Sequence, residues 1–420
     1  MPRVVPILRI LSASLLSCAF YFAYFLGELG SLRVLVISIA FMAITLEIWL
    51  LPLPRQKRLF WVLSLGFYTG AGIALTEFLA SQREDRLIAV NGQHLLVLLP
   101  LFAVLGMLIY RSCHGRHYLS VFLGFAALVS ILAIAEATLD RSLLGRDLQF
   151  LTSQREGLAR AIVGSEHVLV LGASLAVAVP LTIKISRTAL RLPLTALLVA
   201  GCWASGSRAP AAICTLVACA IAFPVVRTFF QRRLWILYSG TTAIILGLTY
   251  MASFVWKPYI AGATGLEYSS NYRGASYSLM PQMLLEHPFG YLLGGAPFGV
   301  WMADSELRGS VDMAVSSDSE IVFAIFGLGW LGLIFYLTSL IISIAAIKFD
   351  MAVGLASLSL TVIGLSLSLH GWDGMSLIWY LLLGVCVYLV FRGHLDGSPL
   401  ASRFRARTPN LTKRTMMGTK

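Results

Sequence analysis

Residues 315–322 read Val315-Ser316-Ser317-Asp318-Ser319-Glu320-Ile321-Val322, and there a long polar interval gives way to apolar sequence. The interval begins at Lys257 and ends at Ser317. On either side of it the chain passes from one apolar stretch to the next. The boundary therefore separates membrane spans from the one extended segment able to build an aqueous site. Apolar residues make up 58% of the 420 and charged residues 12%, with a mean hydropathy of +0.82. Soluble domains lie near about half apolar and about a quarter charged, so the chain reads as an integral membrane protein with little soluble mass.

A bilayer crossing needs about 20 apolar residues. Runs of that kind centre near Leu16, Ile44, Leu65, Leu101, Ala127, Ala173, Leu198, Ala218, Ile245, Ile334, Leu360 and Leu383. No period-2 alternation runs through them, which excludes a membrane β-barrel. The predicted fold is all-α: a polytopic transmembrane helical bundle of about 12 spans over residues 1–392. One long extracytoplasmic loop, 257–317, lies between spans 9 and 10. A basic, disordered cytoplasmic tail follows at 393–420.

The connections sort by charge. Arg55, Lys57 and Arg58, then Arg111 and Arg116, then Lys184, Arg187 and Arg191, then Arg227, Arg232 and Arg233 occupy alternate loops, with Lys348 after them. Arg3, Arg9 and the basic tail fall on the same side, and nearly all acids fall on the other. The positive-inside rule then sets both termini in the cytoplasm and the 257–317 loop outside. The net charge of +12 reports this topology and gives no reason to expect a nucleic-acid partner. Five of the six cysteines sit in apolar runs, where they read as packing residues.

Within the long loop, Ser269–Leu285 predicts one amphipathic surface helix entered through Ser269-Ser270-Asn271. Arg273, Tyr277, Met280 and Leu284 would share a face of it. Glu286-His287-Pro288-Phe289-Gly290 then breaks the helix. Arg208, after Ser205-Gly206-Ser207, is an arginine at membrane depth. Such a residue costs about 2.5–3.5 kcal/mol on insertion scales and is a functional candidate by default. The competing reading is an arginine snorkelling to headgroups. Arg273 and Arg160 carry the same two readings. Arginines converging on an outer cavity suit a diphosphate, because guanidinium binds phosphate oxygens through two parallel hydrogen bonds. Asp318 and Glu320 offer a general base or, equally, a helix N-cap. His287 reads as a loop-ordering residue or a chemical one. Gly327, Gly329 and Gly332 predict close helix packing.

With these residues in view the chain resembles the O-antigen ligase and polysaccharide polymerase superfamily, over roughly Arg160 to Phe335. The resemblance rests on Arg160 through Pro180, on Gly206-Ser207-Arg208-Ala209, on Tyr272-Arg273 followed by Glu286-His287-Pro288-Phe289-Gly290, and on Asp318 through Gly332. Ala209 stands where the family usually has glycine, and Asp318 where its ligases have histidine. The second departure sets a polymerase ahead of a ligase.

The resemblance implies glycosyl transfer without metal or other cofactor, at the periplasmic face of the bacterial inner membrane. The donor would be an oligosaccharide on undecaprenyl diphosphate. Arg208, Arg273 and Arg160 would bind the diphosphate, Asp318 would act as base with Glu320 behind it, and His287 and Tyr277 would support. Membrane lipid and other polysaccharide assembly and export proteins are the expected partners. An O-antigen ligase using a lipid A-core acceptor is the alternative within the family. A lipid-linked oligosaccharide flippase is the alternative outside it, and it predicts cationic residues throughout the bundle and symmetric halves.

Overall fold

The computed structural model describes residues 33–50, 53–83, 92–111, 115–144, 160–165, 167–223, 277, 280–290, 319–365, 369 and 373–396. Among these residues every regular element is a helix and none is a strand. In chain order they are α1 (Arg33–Leu50), α2 (Arg55–Arg83), a π-helical turn (His94–Leu98) leading into α3 (Leu99–Arg111), and α4 (Gly115–Leu139). Then follow α5 (Val168–Leu181) with a 3-10 turn (Thr182–Lys184), α6 (Thr188–Ala204) and α7 (Arg208–Ala222). The last group is α8 (Glu320–Leu328), α9 (Trp330–Ile347), α10 (Met351–Ile363) and α11 (Asp373–Asp396). Ten of the twelve expected apolar centres fall inside described apolar helices. The centres at Leu16 and Ile245, most of the 257–317 loop and the end of the tail lie outside the described residues. The final helix continues to Asp396, past the expected start of the tail at residue 393.

Five described helices are long and apolar enough to cross a membrane, and five shorter apolar helices of 10–17 residues accompany them. Burial does not follow length: the long α11 is largely buried and the short α6 exposes Leu190 and Trp203. On the periphery, α2 turns Phe60, Leu63 and Phe67 outward, and Phe67 is 81% exposed. A face of that kind is an aggregation hazard in water and an ordinary surface in hydrocarbon. At the centre, α10 buries every residue except Val362, and α5 buries all but Leu169 and Ser174 along its length. A helix apolar on all sides has no solvent face to offer, so both sit inside the bundle. At 13 residues α10 rises only about 20 Å, less than a full crossing.

Glycines set the closest approaches. A Cβ on Gly106 would overlap the backbone of Leu381, and one on Gly384 the backbone of Ala103, so α3 and α11 meet backbone to backbone. Small residues at such crossings allow dense packing where lipid supplies no hydrophobic drive. The stretch opening at Glu320 is not one continuous span. Gly329, at φ +58°, breaks it into α8 and α9, and a Cβ on Gly332 would overlap the carbonyl of Ala324. The two helices fold sharply against each other at this glycine, because an L side chain seldom takes the left-handed backbone there.

One end of the bundle is tied by an ionic cluster. Asp350 caps α10, its Oδ1 accepting from Val353 N at 3.4 Å. Its Oδ2 takes the Tyr110 hydroxyl at 2.8 Å and pairs with Lys184. Arg392 Nη1 donates to Tyr388 at 3.3 Å, and the Tyr388 ring packs edge-on against Tyr110. Residues 110, 184, 350 and 392 thus gather at one end of the bundle.

Candidate functional site

The opposite end collects the described candidates. The tight turn Ser205-Gly206-Ser207 joins α6 to α7 and is held from three sides. Ser205 Oγ donates to Cys202 O at 2.7 Å and accepts from Ser207 N at 3.2 Å. Ser207 Oγ donates to Val168 O at 2.9 Å, fastening the turn to the start of α5. Gly172 on α5 faces it, since a Cβ there would stand 3.0 Å from Ser205 Oγ. Gly206, at φ +64°, supplies the left-handed residue the reversal needs. Arg208 is the first residue of α7, beyond the cap position of Ser207, and is exposed.

Arg160 lies across this turn. Its Nη2 donates to Gly206 O at 3.3 Å, and a Cβ added to Gly206 would meet its Nε at 2.7 Å. The backbone beside it is fixed as well, Ala161 N donating to Ala204 O at 3.0 Å. Two arginines far apart in sequence, Arg160 and Arg208, therefore flank one turn.

A buried carboxylate anchors the Arg160 segment. Glu136, near the end of α4, is fully buried. Its Oε2 accepts from Ile162 N at 2.9 Å and Val163 N at 2.7 Å, and its Oε1 from Leu143 N at 3.0 Å. A buried N–H left without an acceptor costs about 1–3 kcal/mol, so this one side chain offsets two such losses, at Ile162 and Val163, and also holds the part-buried Leu143 amide. Sequence reasoning passes over Glu136. The signal was there: an acid inside an apolar run, the same warning that singled out Arg208.

A separate polar group at this end surrounds the start of α8. Ser319 takes the N-cap position, and Glu320, the first helical residue, is fully buried. Glu320 N donates to Gly364 O at 2.6 Å, joining α8 to the end of α10. Tyr277 reaches in from the long loop. Its hydroxyl meets Ser319 Oγ at 3.0 Å and also donates to Leu365 O. Tyr277, Met280 and Leu284 are buried together in the core, and Leu285 is exposed, as one amphipathic face requires.

After the helical residues 280–286, His287 O accepts from Gly290 N at 2.9 Å and closes the turn. Pro288 O accepts from Trp330 N at 3.0 Å. Gly290, at φ +66°, lies against the Gly327-Leu328-Gly329 backbone, with no room for a Cβ. The glycines of the 327–332 segment thus seat the His287–Gly290 turn as well as a helix. His287 itself is half-buried and orders this turn through its backbone. Arg273 and Asp318 lie outside the described residues. Among the described residues, no three His, Cys, Asp or Glu converge to hold a metal ion.

The fold and composition define an α-helical membrane protein with a polar, arginine-bearing turn at one end of its bundle. No protein family model, curated protein or solved structure matches the chain.

Proposed function

We propose that the protein is a polysaccharide polymerase, joining oligosaccharide repeat units carried on undecaprenyl diphosphate at the periplasmic face of the inner membrane. The observation that carries this reading is the seating of Arg160 on the Gly206 turn that presents Arg208. Two guanidinium-bearing side chains at a fixed turn suit a diphosphate, whose charge grows as it departs. Arg273, on the loop that Tyr277 pins to α8, is the third member of the set.

In the proposed reaction a sugar hydroxyl of one lipid-linked unit attacks the anomeric carbon of another. The new C–O bond forms as the bond from that carbon to the diphosphate breaks, and the leaving oxygen keeps the electron pair. Asp318 accepts the hydroxyl proton, with Glu320 next in line. Undecaprenyl diphosphate leaves, and the arginines stabilise its added charge. No metal is required for this charge balance when guanidinium groups supply it.

The test is incubation of purified protein in detergent with a defined undecaprenyl-diphosphate repeat unit, without added metal. Longer glycans and released undecaprenyl diphosphate are expected in step with one another. A donor that stays intact at high enzyme concentration would refute the assignment.

A further inference from the structure

We propose that Glu136 is the positioning residue of the donor site, setting Arg160 over the Gly206 turn; this rests on the diphosphate reading above. Its carboxylate holds the amides of Ile162 and Val163, two and three residues beyond Arg160. It therefore fixes the backbone from which that guanidinium projects.

An independent feature shows that the segment is held in place. Val163 adopts φ +46°, a left-handed conformation that a β-branched residue avoids, and Gly164 follows at φ +72°. A turn of this kind aims consecutive N–H groups into one concavity, which favours an anion. Here the acceptor in that concavity is the carboxyl of Glu136, which arrives from α4 and is sealed from solvent. The bond from Ala161 N to Ala204 O adds a fixed separation from the end of α6. Arg160 is then confined to the surface of the Gly206 turn, one residue pair away from Arg208. The carboxylate accepts from the backbone amides of Leu143, Ile162 and Val163. It acts through the backbone.

The test uses the full-length protein in detergent, with farnesyl diphosphate as the probe and amide hydrogen exchange as a second readout. Glu136→Gln keeps the shape but loses at least one acceptor, since its amide nitrogen can only donate. It should weaken probe binding by about tenfold, the scale of one lost hydrogen bond to a charged group. Amides of 160–165 and of 204–207 should exchange faster, while those of α10 stay protected and report an intact bundle. In an Arg160→Ala background, Glu136→Gln should produce no further loss of binding. Val163→Gly, which removes the left-handed penalty, should restore part of the affinity lost by Glu136→Gln.

Losses that multiply in the double variant, or unchanged exchange at 160–165, would overturn the route through Arg160. Wild-type protein that binds no farnesyl diphosphate would overturn the diphosphate reading itself. The two failures are therefore distinguishable.

Discussion

Arg208 stands exposed at the first position of α7, where the helix dipole disfavours a cation. A side chain that only helped α7 would not be basic at that place, but an anion arriving at the turn would meet both the guanidinium and the helix N-terminus. Arg208→Lys keeps the charge and loses the paired hydrogen bonds. Turnover should fall by about 10²–10³, as for loss of one donor to a developing anion, with Tm unchanged. Initial rates and thermal unfolding in detergent measure the two effects. Asp318→Asn and Glu320→Gln should separate differently. Because Ser319 holds the N-cap position, Asp318→Asn should lose turnover without loss of stability. Glu320→Gln brings two N–H donors into a fully buried position between α8 and α10 that held only acceptors, so it should lower Tm together with activity.

Among the helices, the sequence made most apolar runs and both ends of the α6–α7 turn legible. It did not reveal the break at Gly329. A run of apolar residues has the same appearance whether the chain goes straight or folds back. Only the partner explains it: the Pro288 carbonyl occupies the space a Cβ would need. The amphipathic pattern of Tyr277, Met280 and Leu284 was readable, and its burial against the core follows from it. The link from Tyr277 to Ser319 was not, since it spans 42 residues and depends on tertiary packing. Gly329→Ala should therefore cost about 1–3 kcal/mol through overpacking and release the 286–290 turn to protease. Gly124→Ala, where nothing lies within 4 Å, is the control: it should leave cleavage unchanged and add about 0.5–1 kcal/mol of helix stability. Cleavage of both variants by a loop-directed protease measures the difference.

At the scale of the whole molecule, two polar clusters occupy opposite ends of the bundle. The sequence did not reveal that Asp350 would gather Lys184 and Tyr110, which come from distant parts of the chain. Asp350→Asn weakens three attachments at that end and should lower Tm. Because Lys184 remains 38% exposed, its share is only about 0–1 kcal/mol. The turnover of each folded molecule should stay near the wild-type value, because the arginine-bearing turn is at the other end. Thermal melts and rates normalised to folded protein distinguish a loss of stability from a loss of chemistry.

The brevity of α10 bears on what the reaction must avoid. Its rise of about 20 Å spans roughly two-thirds of a hydrocarbon layer about 30 Å thick. If the partly exposed Lys184, paired with the buried Asp350, sits at one aqueous boundary, the Gly364–Glu320 junction would lie beneath the other. On the proposed polymerase reading, such a depth would limit how much water reaches the junction. An incoming glycan hydroxyl would then face little rivalry from hydrolysis, and each activated unit would extend the product rather than be wasted.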